Sequence, residues 1–500
     1  MRPIVYRFRA ATRTGRYLRR CEPFLSRASV GAWLIALIIT AIASGHSAAE
    51  TRPHYGGTLR VMMQSSPATL TPSTSGVPSD YWDEARALSL IGDTLVTLDA
   101  RGHAKPSLAV AWQGDASARH WQFTLREGVK FQDGSWASSA MIAQILGALH
   151  PNWTVRAATD VISIDTDQPA PSLLAELALP RNLLLKHKDG DTGIPLGTGP
   201  FLVSAWQPGK LLKLTANEDS WAGRPFVDAI EIEFGKSPRD QAVALELDKA
   251  DVIGTALQSG LTQQSHSASS LPVELLALVF PATSRAQDLR VREALALAIN
   301  RKPIQAVLLK GSGEFAAGIL PNWMTGYDAL FNAQADPERA RAVLADAKLP
   351  ILTLSYDPRD PQAQLIAERI ALNAREVGIT VQVSLSGAAD IRLVRAVLPS
   401  SDPATSLAEV ARQLGLSQPV FPVTVGKPSL DDLYQAERSL LHAYSVIPLF
   451  HLPVTSAASA RICGWQPDLM GGWSAGGSSV ADSWMCGSRA TDARLEAPSP

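Results

Sequence analysis

Cysteine is nearly absent from this 500-residue chain: only Cys21, Cys463 and Cys486 occur, with no Cys-x-x-Cys and no Cys/His spacing that would hold zinc. Histidine is sparse as well. His442 and His451 stand too far apart for one helical face, and the sequence has neither His-Glu-x-x-His nor a carboxylate-rich calcium loop. No metal or cofactor is therefore expected. Tandem repeats are missing, and the glycine clusters Gly311-Ser312-Gly313 and Gly197-Thr198-Gly199-Pro200 lack the spacing and the Lys-Ser/Thr of a phosphate loop. Gly472-Trp473-Ser474-Ala475-Gly476 has the spelling of a nucleophile elbow. That motif requires a following helix and a downstream histidine, whereas Gly and Ser follow here and the last histidine, His451, lies upstream. A Gly/Ser loop is the better reading, and no catalytic residues are expected.

An excess of charge of one sign is lacking only in the total, where 46 Lys and Arg face 47 Asp and Glu. Residues 1–49 hold eight arginines and one acidic residue, Glu22, so the remainder carries 38 basic and 46 acidic side chains, a net charge of −8. An acidic body argues against binding nucleic acid or an anionic membrane, both of which need a basic patch. Long apolar runs are also absent. The longest, VGAWLIALIITAIA at 30–43, falls short of the roughly 20 residues of a membrane span. Preceded by arginines and followed by small residues at Ser47 and Ala49, it predicts a signal peptide over 1–49, cleaved after Ala49, and export of a soluble protein to the periplasm. In an oxidising compartment Cys463 and Cys486 are candidates for one disulfide, worth on the order of 3 kcal/mol if unstrained.

What is present is a mixture of strand-like and helix-like stretches. Alternation predicts strands at 57–63, 120–125, 161–165, 211–216, 229–234, 274–280, 351–356 and 379–385. Helical patterning covers 240–249, 289–299, 337–346, 362–377 and 430–444; in 362–377 Leu365, Ile366, Ile370, Leu372 and Val377 fall mostly on one face. The mixture argues α/β or α+β layers. In LREGVKFQDGSWASSAMI (125–142) the alternation predicts a half-buried strand through Phe131, a turn at Asp133-Gly134, and then a helix start. The Ser, Gln and Gly of 258–270 suit a loop or a crossing between domains, 399–406 is a second polar stretch, and 471–479 is too rich in Gly and Ser for a regular element.

Several blocks then fall into a familiar order. YGGTLRVMMQSSPATLTP, LREGVKFQDGSWASSAMI, GTGPFLVSAWQPGKLLKLTANEDSWAGRPFVDAIEIEF, DLRVREALALAINRKPI, ADPERARAVLADA and HAYSVIPLFHLP together resemble the family 5 extracellular solute-binding proteins, the peptide, dipeptide and nickel receptors of ABC importers. The resemblance implies an α/β, two-lobed periplasmic binding protein fold of class C type, with an extra small subdomain in the first lobe. It places lobe I at 50–267 with the subdomain at about 96–190, lobe II at 268–445, and a return to lobe I plus the tail at 446–500. Two crossing strands would join the lobes.

The implied function is a non-enzymatic, monomeric receptor that encloses a peptide or peptide-like organic solute between closing lobes and hands it to a permease and ATPase complex. Candidate ligand contacts are Tyr81 and Trp82 after a Ser/Pro-rich loop, Trp323 in PNWMTGYD, Arg359 in the loop after ILTLSY, and Asp402 in an Asp-Pro pair. Arg359 would fork onto a ligand carboxylate and Asp402 would hold a ligand ammonium. Plainer roles compete: Arg359 paired with Asp357 or Asp360, Asp402 capping a helix that starts near Thr405, and the tryptophans packed in the core. The tryptophan expected beside Asp402 and the carboxylate expected at Thr71 are missing. A sensor, chaperone or scaffold that has lost transport is the alternative, and a metal-chelate receptor or serine hydrolase fits less well.

Overall fold

The structure is a computed structural model. It describes residues 55–473 and 484–485, apart from 73–77, 188–193, 255–264, 328–329, 346, 361, 386–388, 423–425, 464 and 466–467. The expected signal peptide lies outside the described residues, as do Cys486 and Ser474.

Alternating residues build the first lobe's half of a large sheet. In Ala229–Glu233 the sequence AIEIE buries both isoleucines fully, and in Leu211–Ala216 Leu212 and Leu214 point inward. Thr58–Met62 runs parallel to Ala229–Glu233 on one side and to Val252–Ile253 on the other. The sheet continues without a break through Val446–Ser459 and Ser265–Val279 into Ile391–Val397, Leu352–Ser355 and Val381–Ser384 of the second lobe. There the strands Leu352–Ser355, Val381–Ser384 and Ile391–Val397 are parallel neighbours. The helices Leu289–Ala298, Ala363–Glu376, Pro403–Leu414 and Leu430–Leu441 contribute to the same second-lobe core.

Two long antiparallel strands carry the sheet from lobe to lobe. Ser265–Val279 pairs with Val446–Ser459 from Ser265↔Ser459 to Val279↔Val446, and the register shifts on either side of Pro272↔Pro453. Two prolines face each other there. Neither has an N–H to give, so the ladder is broken at the point where the strands pass between lobes. Of the loop or domain crossing expected at 258–270, Ser265–Ser270 is the start of a crossing strand, because the long partner supplies pairing that composition does not register.

A separate four-stranded antiparallel sheet forms the small subdomain, in the order Ala109–Gly114, His120–Leu125, Val161–Thr166, Trp153–Ala157. Helix Ser139–Leu149 packs on it, started by Ser138, whose Oγ accepts the N–H of Met141. The strand expected to run through Phe131 stops at Leu125. Val129 and Phe131 are still buried, and a tight turn closed by Gly134 N–H to Phe131 O takes over, with one bridge between Lys130 and Trp136. The Gly-Thr-Gly-Pro turn has a steric origin. A Cβ on Gly197 would stand 2.0 Å from Ile91 O and one on Gly199 2.6 Å from Ile91 C, so only glycine lets the turn approach this backbone.

Helix ends follow their caps more closely than their periodicity. The stretch expected at 240–249 forms Pro238–Glu246, because Ser237 caps it and Pro238 takes the first helical position. Helix Pro78–Ser89 is an addition to the expected set, and Pro403–Leu414 is the helix that the capping alternative for Asp402 placed near Thr405; each begins with a proline.

Candidate functional site

Helix Pro78–Ser89 lines one cavity with Tyr81, Trp82, Ala85 and Ser89. Tyr81 and Trp82, which follow the Ser/Pro-rich stretch, lie on this helix. Their rings meet edge to face at 5.3 Å, and Trp82 is only 8% exposed. Trp82 packs with Val273 of one crossing strand, Val397, Met470 and the partly buried Trp323, so residues from both lobes share one apolar cluster. Trp323 donates its indole N–H to Pro272 O at 3.0 Å, beside the break in the crossing strands. The indole N–H of Trp82 lies near Glu274 without making a full hydrogen bond.

A cavity of about 170 Å³ opens beside these aromatics. The first lobe gives it Tyr81, Trp82 and Asp93, the subdomain gives the 175–183 segment, the second lobe gives Pro399, Ser400 and Ser401, and the returning chain gives Asp468, Met470 and Trp473. All four parts of the molecule thus meet at one space. Sequence reasoning missed Asp93, Asp468 and Trp473. They lie far apart in the chain in unremarkable contexts, and only the return of the chain to the first lobe joins them.

The carboxylates here are held in different ways. Asp93 accepts the hydroxyl of Thr198 at 2.8 Å and the indole N–H of Trp221 at 2.9 Å, both on Oδ2; burial raises its pKa against those two bonds and the nearby charge of Arg126. Asp468 accepts the backbone N–H of Met470 at 3.0 Å, and burial raises its pKa too. Beneath the cavity, Asp83 accepts the backbone N–H groups of Gln64 and Ser65. The fully buried Arg86 next to it donates to Gly471 O and Gly254 O, both at 3.0 Å, and to Ser456 Oγ at 3.2 Å. Its guanidinium lies 5.2 Å from the centre of the Trp473 ring. This arginine ties the first helix to the returning chain and so fixes the cavity's walls.

Polar contacts close the two lobes upon each other. Arg359 of the second lobe pairs with Asp80 of the first lobe at 2.9 Å and with its neighbour Asp357 at 3.0 Å, while its carbonyl accepts the Gln64 side chain at 2.7 Å. These two carboxylates raise the pKa of Arg359. Glu84, one turn along from Asp80, is pushed up to about 7 by burial and by Asp80 and Asp83. On the subdomain side Arg181 joins Glu176 at 2.5 Å and Glu409 of the second lobe at 2.8 Å, and Ser401 Oγ donates to Asp99 O at 2.7 Å. A second groove, about 540 Å³, runs beside the Arg181 pair, between subdomain residues such as Trp153 and Pro171 and second-lobe residues such as Ala408 and Phe421.

Asp402 is 2% exposed and caps Pro403–Leu414: its Oδ1 accepts the Thr405 N–H at 3.0 Å and the Thr405 hydroxyl at 2.9 Å. Its Oδ2 faces the ammonium of Lys427 at 2.8 Å. Asp402 is outside the lining of the 170 Å³ cavity, although its neighbours Ser400 and Ser401 are within it. Cys463 is disulfide-bonded. His451 lies on a crossing strand and is buried, with Nε2 at 3.0 Å from Ile319 O; burial holds its pKa down at about 4, so the neutral ring donates this bond. Among the described residues no group of three or more His, Cys, Asp or Glu could hold a metal ion, and no helix is long and apolar enough to cross a membrane.

Comparison with known proteins fits this architecture. The nickel-binding periplasmic protein of Escherichia coli (strain K12) is 26% identical over 345 residues, which cover 59% of this chain and 66% of that protein. The di/tripeptide-binding protein 2 of Pseudomonas aeruginosa (strain UCBPP-PA14) is 24% identical over 419 residues, 68% of this chain and 78% of the relative. Among solved structures, a dipeptide-binding protein from Pseudoalteromonas sp. SM9913 in complex with Met-Leu superposes with a TM-score of 0.75 at 17% identity, over 86% of this chain and all of that one. That likeness shows a shared fold. The family profile described as "Bacterial extracellular solute-binding proteins, family 5 Middle" matches residues 103–396, more than half of the sequence. The chain belongs to the bacterial extracellular solute-binding proteins, family 5.

Proposed function

We propose that this protein is the periplasmic, monomeric substrate-binding component of an ABC importer, which captures a small organic solute between its lobes and delivers it to a permease. The observation that carries this reading is the 170 Å³ cavity walled jointly by the first lobe, the subdomain, the second lobe and the returning chain. A solute touching all four walls favours the closed arrangement by its differential affinity for that form. Hinge closure of this kind is known for periplasmic binding proteins as a class, and the opposed Pro272 and Pro453 give the crossing strands a place to bend.

Tyr81 and Trp82 serve as pocket walls, and Trp323 supports Trp82 from the second lobe. Arg359 acts across the lobe boundary, where a ligand carboxylate would have to compete with Asp80. Asp402 would meet a ligand ammonium only after Lys427 gave way. Peptides remain the ligand class suggested by the di/tripeptide-binding relative. The test is to purify the mature protein gently from the periplasm, denature it, identify released small molecules by mass spectrometry, and add each back in a thermal-shift assay. A released solute that raises the melting temperature supports the receptor reading. Failure of every released or supplied solute to stabilise the protein would favour a scaffold or sensor of the same fold.

A further inference from the structure

The charge inside the cavity says what kind of solute it takes. Its lining holds two carboxylates, Asp93 and Asp468, and among the described residues that line it there is no lysine, arginine or histidine. The rest of the lining is aromatic, aliphatic or hydroxyl-bearing: Tyr81, Trp82 and Trp473 on one side, Leu179, Leu183 and Met470 on others. Resting on the receptor reading above, we propose that the cavity binds a small organic cation, an alkylammonium compound without a carboxylate of its own, with its charged head against Asp93 or Asp468 and its apolar part against the aromatic walls.

Four observations converge on this. First, the protein partners of both carboxylates are neutral donors: Thr198 and Trp221 for Asp93, and the backbone at Met470 for Asp468. Both Asp93 contacts fall on Oδ2, and Oδ1 accepts no hydrogen bond among the described residues. A half-buried carboxylate without a salt-bridge partner is unfavourable, and a cationic ligand relieves that cost. Second, the arginines of this region are turned to other work, Arg181 being held by Glu176 and Glu409. Arg86 is consumed by two carbonyls, a hydroxyl and Asp83, Arg126 stacks on Trp221 at 4.5 Å, and Arg359 is held by Asp80 and Asp357. A ligand carboxylate placed in this cavity would find no cation in its lining and would face two like charges. Third, aromatic faces attract alkylammonium groups. Fourth, 170 Å³ holds about five or six waters at roughly 30 Å³ each, room for a solute of on the order of ten non-hydrogen atoms.

Isothermal titration of the mature full-length protein with choline, putrescine, glycine betaine and the dipeptide Ala-Ala tests the proposal. Choline and betaine share a trimethylammonium head and differ in the carboxylate, so they isolate the feature in question. Choline or putrescine should bind on the order of tenfold or more tightly than betaine and Ala-Ala, and Asp93→Asn and Asp468→Asn should each weaken that binding by a similar factor. The two aspartates sit on different parts of the chain, so misfolding of one variant leaves the other as a test, with melting temperature as the control for folding. Betaine or Ala-Ala binding as tightly as the cations, or cation affinity unmoved in both folded variants, overturns the cation proposal while leaving the receptor reading intact. Absence of binding by all four probes also overturns it. The receptor reading itself fails separately, when no solute is released from the purified protein and none stabilises it.

Discussion

Glu437 offers a measurable consequence of burial beside a crossing strand. It lies on helix Leu430–Leu441 with no exposed surface. Its Oε1 accepts the N–H groups of Ile319 and Leu320, the latter at 3.0 Å, and its Oε2 accepts the Tyr327 hydroxyl. Ile319 O in turn accepts from His451 of the crossing strand, so one loop is clamped from both sides. Burial outweighs these bonds and pushes the Glu437 carboxyl up from 4.5 to about 7. The folded protein therefore holds a proton that the unfolded chain releases near pH 4.5. This contribution to stability is fully present below that pH and is lost as the pH rises through about 7. The difference amounts to about 3 kcal/mol across the window.

Glu437→Gln keeps an acceptor for the two backbone N–H groups and cannot ionise. Urea denaturation of wild type and variant from pH 4 to pH 8 should show similar stabilities at the acid end, an advantage for the variant that widens between pH 4.5 and about 7, and a plateau of about 3 kcal/mol above that. A stability difference that stays constant over the range would refute the argument, because it would mean that Glu437 ionises at an ordinary pH in the fold. His451 supplies the opposite slope. Its folded pKa of about 4 lies below its ordinary 6.5, so its contribution is lost as the pH falls through that interval, and His451→Gln should flatten the decline on the acid side.

Three further outcomes follow from named contacts. Arg359→Ala removes a partly exposed pair across the lobe boundary, worth about 0.2–1 kcal/mol, and should weaken solute affinity by no more than about fivefold while raising the radius of gyration measured by scattering without ligand. Gly197→Ala forces a Cβ onto Ile91 O and should cost on the order of 1–3 kcal/mol or more in chemical denaturation through the clash, whereas Gly128→Ala, with open space around it but a φ of +75°, should show only the strain of a left-handed backbone. Asp402→Ala removes a helix cap and should lower stability by about 1–2 kcal/mol, and Asp402→Asn should recover most of the loss.

Alternation made the half-buried strands of the first lobe legible, because their polar faces remain partly exposed; 211–216 and 229–234 were read within a residue of their observed ends. The amphipathic face of Ala363–Glu376 was equally clear. Ser265–Ser270 was not, because serine is a poor signal for a strand and the pairing with Thr455–Ser459 is long-range. Tyr81 and Trp82 line the cavity from a proline-initiated helix, and the Ser/Pro run before them gives no periodic signal of that helix. The plainer alternatives for Arg359 and Asp402 capture part of what each does: Arg359 does pair with Asp357, and Asp402 does cap a helix. Asp80 and Lys427, by contrast, could be found only in three dimensions. Asp93 and Asp468 carried no local pattern at all, since what distinguishes them is a shared cavity.

The central claim is that the lobes close on a small solute. Small-angle scattering of the mature protein, recorded after exhaustive unfolding, refolding and dialysis and again after adding the solute fraction it originally released, tests this most directly. The account requires a smaller radius of gyration with solute and a return to the larger value on dialysis. An identical scattering curve in both conditions, with the solute demonstrably bound, would contradict it.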